Sequence, residues 1–160
     1  MKAYRLLMKT IENLLMLFLM ATVVIVTFQV FFRYVLKSPI GWSEQICRLL
    51  FLWSIMLGIP VIFDRKVDMV FDIIYNNYSM KGKRIASILF NIIGLVFSVF
   101  YFICGMQLCI RTGSRMTAGI KMPMNVLYGA QPVCAVLLIL VFIVRIIESI
   151  RMPTKEEEIK

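Results

Sequence analysis

The sequence predicts an all-α integral membrane protein whose four transmembrane helices pack in a bundle. Of the 160 residues, 61% are hydrophobic, and the mean hydropathy is +0.86, whereas about half of the residues of a soluble domain are apolar. The apolar residues are gathered into four runs, each about 20 residues or longer, the length that crosses the hydrocarbon core as a helix. No run alternates in polarity as a barrel strand does, so helices must satisfy the backbone hydrogen bonds in lipid.

The four predicted spans cover residues 11–35, 43–63, 85–110 and 126–147 and form one domain, 1–160. A basic N-terminus precedes the first run, as in a signal peptide. However, the run is longer than the apolar part of a signal peptide, and no small-x-small cleavage site follows it. We therefore expect the first span to be retained as a signal anchor.

The distribution of basic residues predicts the orientation. The N-terminus, the 64–84 loop and the 151–160 tail together carry more than twice as many Lys and Arg residues as the two loops on the other side. The positive-inside rule therefore places both termini and the 64–84 loop in the cytoplasm. The net charge of +9 comes from residues that flank apolar runs. They form no soluble basic face, which argues against nucleic acid as a partner.

The 64–84 loop has the pattern of a short amphipathic helix on the inner surface of the membrane. Its apolar residues recur at helical spacing, and its acidic residues follow every four positions on another face. The two sets are Val67, Val70, Phe71, Ile74 and Tyr78, and Asp64, Asp68 and Asp72. Three spaced carboxylates are a candidate cation site, but hard cations usually need converging backbone oxygens as well, so we favour a solvated acidic face.

Residues that membrane enzymes and pumps need are missing. The sequence contains no histidine, and its four cysteines, Cys47, Cys104, Cys109 and Cys134, form no Cys-x-x-Cys pair or metal-ligand spacing. We expect these cysteines to be small buried hydrophobes. No charged residue or histidine lies near the middle of a predicted span, where ion coupling would need a titratable group. We therefore expect no catalytic residue, metal site, substrate site or cofactor on this chain.

Small and polar residues of the third span follow one stripe at alternating spacings of four and three. They are Ser87, Asn91, Gly94, Ser98, Tyr101 and Gly105. Such residues mark close helix contact in lipid, because apolar surface gains little by leaving lipid. Their period of 3.5 predicts a left-handed crossing. A substrate path is the alternative, but no residue on the stripe is charged, so we predict a helix-packing seam.

A charged hairpin joins the first two spans. It places Arg33, Glu44 and Arg48 at or just inside the bilayer edge, where charges are costly unless they are paired, snorkelled or turned toward protein. Glu44 and Arg48 stand in the order that favours an i, i+4 ion pair, and Trp42 suits the headgroup level. Arg48 lies about 7 Å of helix rise below Ser43. Two interpretations stay open: an ordinary helix start with a snorkelling arginine, or an arginine that faces protein or lipid headgroups.

Further short motifs accompany those of the hairpin. Together they are Phe32-Arg33-Tyr34, Trp42-Ser43-Glu44-Gln45, Arg48, Phe51, Trp53, Gly58, Asp68-Met69-Val70-Phe71-Asp72, Gly119-Ile120-Lys121-Met122-Pro123-Met124, Tyr128 and Pro132. In these residues, over most of its length, the chain resembles the DctQ-like family, the small membrane subunits of tripartite ATP-independent periplasmic (TRAP) transporters. Two positions depart from the family pattern: Gln45 stands where an acid is frequent, and Asp68 where histidine is frequent.

The resemblance implies a non-catalytic scaffold subunit of a sodium-coupled secondary transporter for organic anions such as dicarboxylates or sialic acids. The partners that it implies are a large elevator-type membrane subunit, which carries the substrate and sodium sites, and a periplasmic binding protein. The location that it implies is the bacterial inner membrane. The alternatives are a self-sufficient small homo-oligomeric carrier and a membrane oxidoreductase built around the thiols.

Two sets of residues are predicted to make the contacts of such a subunit. The predicted subunit or lipid interface consists of Arg33, Tyr34, Trp42, Glu44, Arg48, Trp53 and Gly58. The residues predicted to help dock the periplasmic protein are Lys37, Arg111, Arg115 and Lys121.

Overall fold

The computed structural model describes residues 2–37, 41–65, 80–117 and 122–151. In this part of the chain the helices are α1 (Lys2–Tyr34), α2 (Gly41–Asp64), α3 (Met80–Thr112), α4 (Asn125–Tyr128) and α5 (Ala130–Arg151). Four segments are long and apolar enough to cross a membrane: Tyr4–Tyr34, Gly41–Asp64, Ile85–Thr112 and Asn125–Ile150. The last of these combines α4 and α5. The predicted class, an all-α membrane protein with four spans, is confirmed.

Two helices extend well beyond the predicted spans. α1 and α3 each have 33 residues, which makes each about 50 Å long, whereas the hydrocarbon core is about 30 Å thick. α1 begins at Lys2 instead of near residue 11, and α3 begins at Met80, within the predicted loop. These additional turns lie at the end of the molecule where α1 begins and α5 ends, which we call the termini end. The opposite end, where α1 ends and α2 begins, is the hairpin end.

The long helices form a row in the order α1, α2, α5, α3. The most extensive contacts are those of α3 with α5 and of α1 with α2, and α2 also packs along α5. Among the described residues, α1 makes extensive contact with α2 alone. A third of the most apolar window of the fourth span is buried, but none of that of α1. The arrangement is therefore more open than a closed four-helix ring, with α5 near its centre and α1 at its edge.

The core of the row is built around α5. Cys134, Leu138 and Phe142 of this helix are buried together. The partly buried residues packed against them come from α2 and α3 and are Met56, Ile59, Phe63, Leu95 and Tyr101. The rings of Phe63 and Phe142 meet with their centroids 5.4 Å apart. One cluster therefore joins three of the helices.

Two glycines let α3 approach α5 closely. A Cβ atom at Gly94 would lie 2.4 Å from the ring of Phe142, which is a steric clash for two non-bonded carbon atoms. A Cβ atom at Gly105 would lie 3.2 Å from the Cβ atom of Gln131. Because glycine has no side chain, the ring of Phe142 can pack directly on the backbone of α3.

The polar residues of the same stripe also lie at helix contacts. Ser98 is buried, and its hydroxyl donates a hydrogen bond of 2.7 Å to the carbonyl of Gly94, one turn back in its own helix. The hydroxyls of Ser87 and Ser149 are 3.4 Å apart across α3 and α5. The hydroxyl of Tyr101 donates to the sulfur of Met56 on α2 at 3.5 Å. The stripe thus faces protein where the structure describes it.

Replacing Gly94 by alanine should loosen the contact between α3 and α5. The added methyl group would overlap the ring of Phe142, and overpacking of this kind costs about 1–3 kcal/mol. We expect a lower unfolding temperature of the purified protein in detergent, measured by circular dichroism.

Gly41→Ala is the matched control, because no atom lies within 4 Å of a Cβ atom at Gly41. Combining Gly94→Ala with Phe142→Leu should recover part of the loss, since the smaller side chain removes the overlap. If Gly94→Ala and Gly41→Ala had the same effect, the close approach would be unimportant for stability.

Candidate functional site

An ion pair of α2 faces away from the other helices near the hairpin end. The guanidinium of Arg48 lies 3.4 Å from the carboxylate of Glu44, one helical turn away. The two side chains are 59% and 65% exposed, respectively, although both belong to a membrane-spanning helix. A guanidinium has five N–H donors, so this long contact leaves much of its capacity turned outward. Lipid tails solvate such a pair poorly.

Exposed aromatic and basic residues lie near this pair in the sequence. Tyr34 and Trp42 end α1 and begin α2, and both are mostly exposed, as is Arg33. Amphipathic aromatic rings at a helix end suit the headgroup level of a membrane. Of the seven residues predicted to form an interface, these three, Glu44 and Arg48 are exposed on this chain. We call these five residues the hairpin-end surface.

The other two predicted interface residues make contacts inside the chain. The indole nitrogen of Trp53 donates a hydrogen bond of 3.1 Å to the carbonyl of Val126 in α4. Val126 belongs to α4, three residues before Gly129, the residue at which the helical conformation is interrupted between α4 and α5. A Cβ atom at Gly58 would lie 3.2 Å from a methyl group of Leu15, so Gly58 faces α1. Both residues position α2 against its neighbours.

Basic residues at the hairpin end are exposed where the structure describes them. Arg111, in the last turn of α3, carries a charge that suits the negative end of the helix dipole. Arg115 opens a turn in which its carbonyl accepts a hydrogen bond from the amide of Met124 at 3.0 Å. Lys37 follows α1 with a φ of 49°. Lys121, the fourth predicted docking residue, lies outside the described residues.

A polar cluster at the termini end joins α1 to α2, and the sequence analysis missed it. The hydroxyl of Tyr4 donates to the carboxylate of Asp64, and the guanidinium of Arg65 pairs with Glu12. Asp64 therefore ends α2 and bonds within the helix row. The remainder of the predicted amphipathic helix and acidic stripe falls on residues 66–79, outside the described part of the chain. The sequence contained one indication of this cluster: Glu12 and Arg65 carry opposite charges and lie near adjoining ends of two consecutive, antiparallel helices.

The cysteines form no site. All four are free thiols. The thiol of Cys47 points to the amide oxygen of Gln29 at 3.7 Å, and that of Cys109 to the carbonyl of Asn125 at 3.6 Å. Burial was expected for all of them and holds for Cys134, but it is wrong for Cys104, which is exposed on α3. The described residues contain no cluster of His, Cys, Asp or Glu that could hold a metal ion.

The helices and the placement of charge define a multi-pass membrane protein whose charged groups, in the described residues, lie toward the helix ends. Residues 22–152 match the family model of the DctQ component of tripartite ATP-independent periplasmic transporters, so the chain belongs to this family. A Haemophilus influenzae protein named as a TRAP transporter small permease protein is 29% identical over 136 residues. The alignment covers 85% of this chain and 82% of that relative. The predicted family is confirmed, and the chain is a component of a transporter.

Replacing Trp53 by phenylalanine should weaken the contact between α2 and α4. The substitution keeps an aromatic ring but removes the donor to the Val126 carbonyl. The net loss from one hydrogen bond is about 0.5–1.5 kcal/mol. We expect a lower unfolding temperature, measured by circular dichroism in detergent.

Trp42→Phe is the matched control, because Trp42 is exposed at the helix end and the substitution should change the unfolding temperature little. The sequence has two tryptophans, so each variant also reports the fluorescence of the other one. A Trp53→Phe protein as stable as Trp42→Phe would contradict the proposed role of this hydrogen bond.

Proposed function

We propose that this chain is the non-catalytic scaffold subunit of a sodium-coupled symporter for organic anions of the C4-dicarboxylate or sialic acid class. In this proposal, it supports a large elevator-type membrane subunit and helps a periplasmic substrate-binding protein to dock. Membership of the family supports the role as a transporter subunit. The single observation that carries the scaffold role is the exposed Glu44–Arg48 pair in membrane-spanning α2.

The exposure of this pair favours a protein partner. A charged side chain in the hydrocarbon region costs several kcal/mol, about 2.5–3.5 for arginine at a helix centre and less toward the ends. Among the described residues, the contact that satisfies the two charges is their own ion pair of 3.4 Å. Polar groups of a partner helix would supply additional hydrogen bonds and remove the pair from lipid, and this stabilisation would favour assembly. Tyr34 and Trp42 would frame the contact at the headgroup level.

The open row of helices suits a support. α1 is held mainly by α2, so most of its circumference is exposed, and α3 is likewise exposed on the side away from α5. A row presents a longer side to a partner than a compact bundle of the same helices does. The chain would therefore enlarge the static part of a transporter whose moving part lies in the partner.

The charges of the described spans do not favour ion coupling by this chain. Glu12, Arg48 and Arg145 lie toward the ends of their helices, away from the membrane centre. Coupled transport needs a titratable or ion-binding group on the path of the substrate. We therefore assign the sodium and substrate sites to the large subunit and assign no cofactor and no enzymatic activity to this chain.

The proposed location is the bacterial inner membrane, with the termini end in the cytoplasm. α1 begins and α5 ends at this same end of the row, close to Arg65 and to the start of α3. The basic residues there exceed those of the hairpin end, which fits the positive-inside rule. The hairpin end would then face the periplasm, where a binding protein can reach it.

Arg48→Ala should weaken assembly with the large membrane subunit more than it destabilises the chain. The side chain is exposed and contacts Glu44 of its own helix, so its removal should leave the packing of the row unchanged. The measurement is the amount of large subunit that copurifies with the tagged chain after coexpression of the neighbouring genes. We expect the affinity for the large subunit to fall about 30-fold or more, and the copurified amount to fall with it, since loss of a buried charge contact at an interface costs about 2–5 kcal/mol.

Arg111→Ala is the matched control, because it removes another exposed arginine at the same end of the molecule. It should leave the copurified amount of the large subunit unchanged. Equal losses of expression and assembly for Arg48→Ala would favour the anchoring interpretation of this arginine. Uptake by this chain alone in proteoliposomes would overturn the scaffold role and support the self-sufficient carrier.

Reversing the hairpin-end basic residues should weaken docking of the periplasmic protein. Changing Lys37, Arg111 and Arg115 to glutamate replaces three exposed positive charges. If they attract an acidic surface, the association rate should fall several-fold at low salt, and the difference should shrink as salt is added. Surface plasmon resonance with the complex in nanodiscs measures both.

The matched control exchanges each residue for the other basic type and so keeps the charge. Its substitutions are Lys37→Arg, Arg111→Lys and Arg115→Lys, and they should leave docking intact. An unchanged association rate for the charge-reversed protein at low salt would show that these residues are loop charges without a docking role.

A further inference from the structure

The contacts between α3 and α5 fix which residues of the two helices lie level with each other. Ser87 meets Ser149, and seven residues further along α3, Gly94 meets Phe142, seven residues earlier in α5. The helices are antiparallel, so the residue four positions after Ser87 lies opposite the residue four positions before Ser149. This register places Asn91 level with Arg145, inside the interface near the termini end.

Asn91 is a buried amide that is satisfied on one side only. It is 2% exposed. Its nitrogen donates to the carbonyl of Ser87 at 2.8 Å and also lies 3.4 Å from the Ser87 hydroxyl. Among the described residues, its side-chain oxygen has no hydrogen-bond partner. A buried acceptor without a partner destabilises the folded protein, so a hydrogen-bond donor is expected beside this oxygen.

Arg145 brings donors to the same level. It is 6% exposed, so its guanidinium faces the interior of the row, as charged side chains of membrane spans usually do. Arg145 also interacts with other groups of the chain. A guanidinium carries five N–H groups on three nitrogens. Arg145 can therefore keep its other contacts and still direct one N–H group toward α3.

We propose that an ordered water molecule bridges Arg145 of α5 and the side-chain oxygen of Asn91 of α3. The oxygen has no partner within hydrogen-bond distance, so a direct bond from the guanidinium does not account for it. A water molecule accepts from the guanidinium and donates to the amide oxygen, and the hydroxyls of Ser87 and Ser149 lie one turn away as further partners. Internal waters typically make about three such hydrogen bonds.

The bridge would add a polar contact between α5 and α3 near the termini end. At the same end the Tyr4–Asp64 hydrogen bond joins α1 to α2. Two interfaces of the row would then each contain a polar contact near the termini end.

A double-mutant cycle tests the coupling between the two side chains. Asn91→Leu and Arg145→Met each remove one partner and leave the other buried, so each should lower the unfolding temperature of the purified complex. The double variant removes both polar groups, so its loss should be smaller than the sum of the single losses. Additive losses would overturn the proposal.

Ser98→Ala in place of Asn91→Leu is the matched control. Ser98 is buried in the same face of α3, but its hydroxyl bonds to its own helix. The decrease in unfolding temperature caused by Ser98→Ala should therefore add to the decrease caused by Arg145→Met. Coupling as strong as that of Asn91 would indicate a general loosening of the interface and would overturn the specific bridge.

A second substitution keeps the test decisive if Asn91→Leu fails to fold. Asn91→Asp places a carboxylate opposite Arg145, so it should be tolerated in the wild-type background and should abolish the folded complex in the Arg145→Met background. Equal tolerance in both backgrounds would contradict the proximity of the two groups.

A cryo-EM map of the wild-type complex that resolves waters should show density between the side chains of Asn91 and Arg145. If the double-mutant cycle shows coupling but the map shows no density between the two side chains, or shows a direct Arg145–Asn91 hydrogen bond, the proposed bridging water is wrong.

Discussion

Apolar side chains gain little by leaving lipid for one another, so the row of helices depends on the close approach of α3 to α5 that Gly94 permits. The ring of Phe142 lies on the glycine backbone, and the same ring meets Phe63 of α2. One aromatic side chain therefore fixes two interfaces. A side chain at Gly94 would move α3 away from α5, and the register that brings Ser87 to Ser149 would be lost with it.

The remaining helices are attached to this centre by a few directed contacts. Trp53 reaches the carbonyl of Val126 and so ties α2 to the start of the fourth span. α1 is held by polar groups at its termini end, where Tyr4 and Glu12 bond to the last residues of α2. Such bonds are directional, and each joins one side chain of α1 to one specific side chain at the end of α2. They can hold an edge helix that buries little surface.

The class of fold could be predicted because it depends on patterns that each helix carries in its own sequence. Hydropathy marks each span, and the spacing from Ser87 to Gly105 marks one face of a single helix. The pairing of Tyr4 with Asp64, 60 residues apart, depends on which helices are neighbours, and periodicity carries no such information. Trp53 was assigned to an outer interface for the same reason, since its acceptor lies 73 residues away.

Arg48 and Arg145 show why burial decides what a charged residue of a span does. Each lies within a membrane-spanning helix toward one of its ends, and the sequence offers little to separate them. In the structure Arg145 is buried among the helices, whereas Arg48 is 59% exposed with its ion-pair partner. An inward arginine can be satisfied by its own chain, so its charge contributes to holding the row together. An outward arginine that meets one carboxylate among the described residues keeps N–H donors available, so its charge would favour association with polar groups of another molecule. The termini end thus serves the fold, and under the proposed scaffold role the hairpin end is where a partner would gain most by binding.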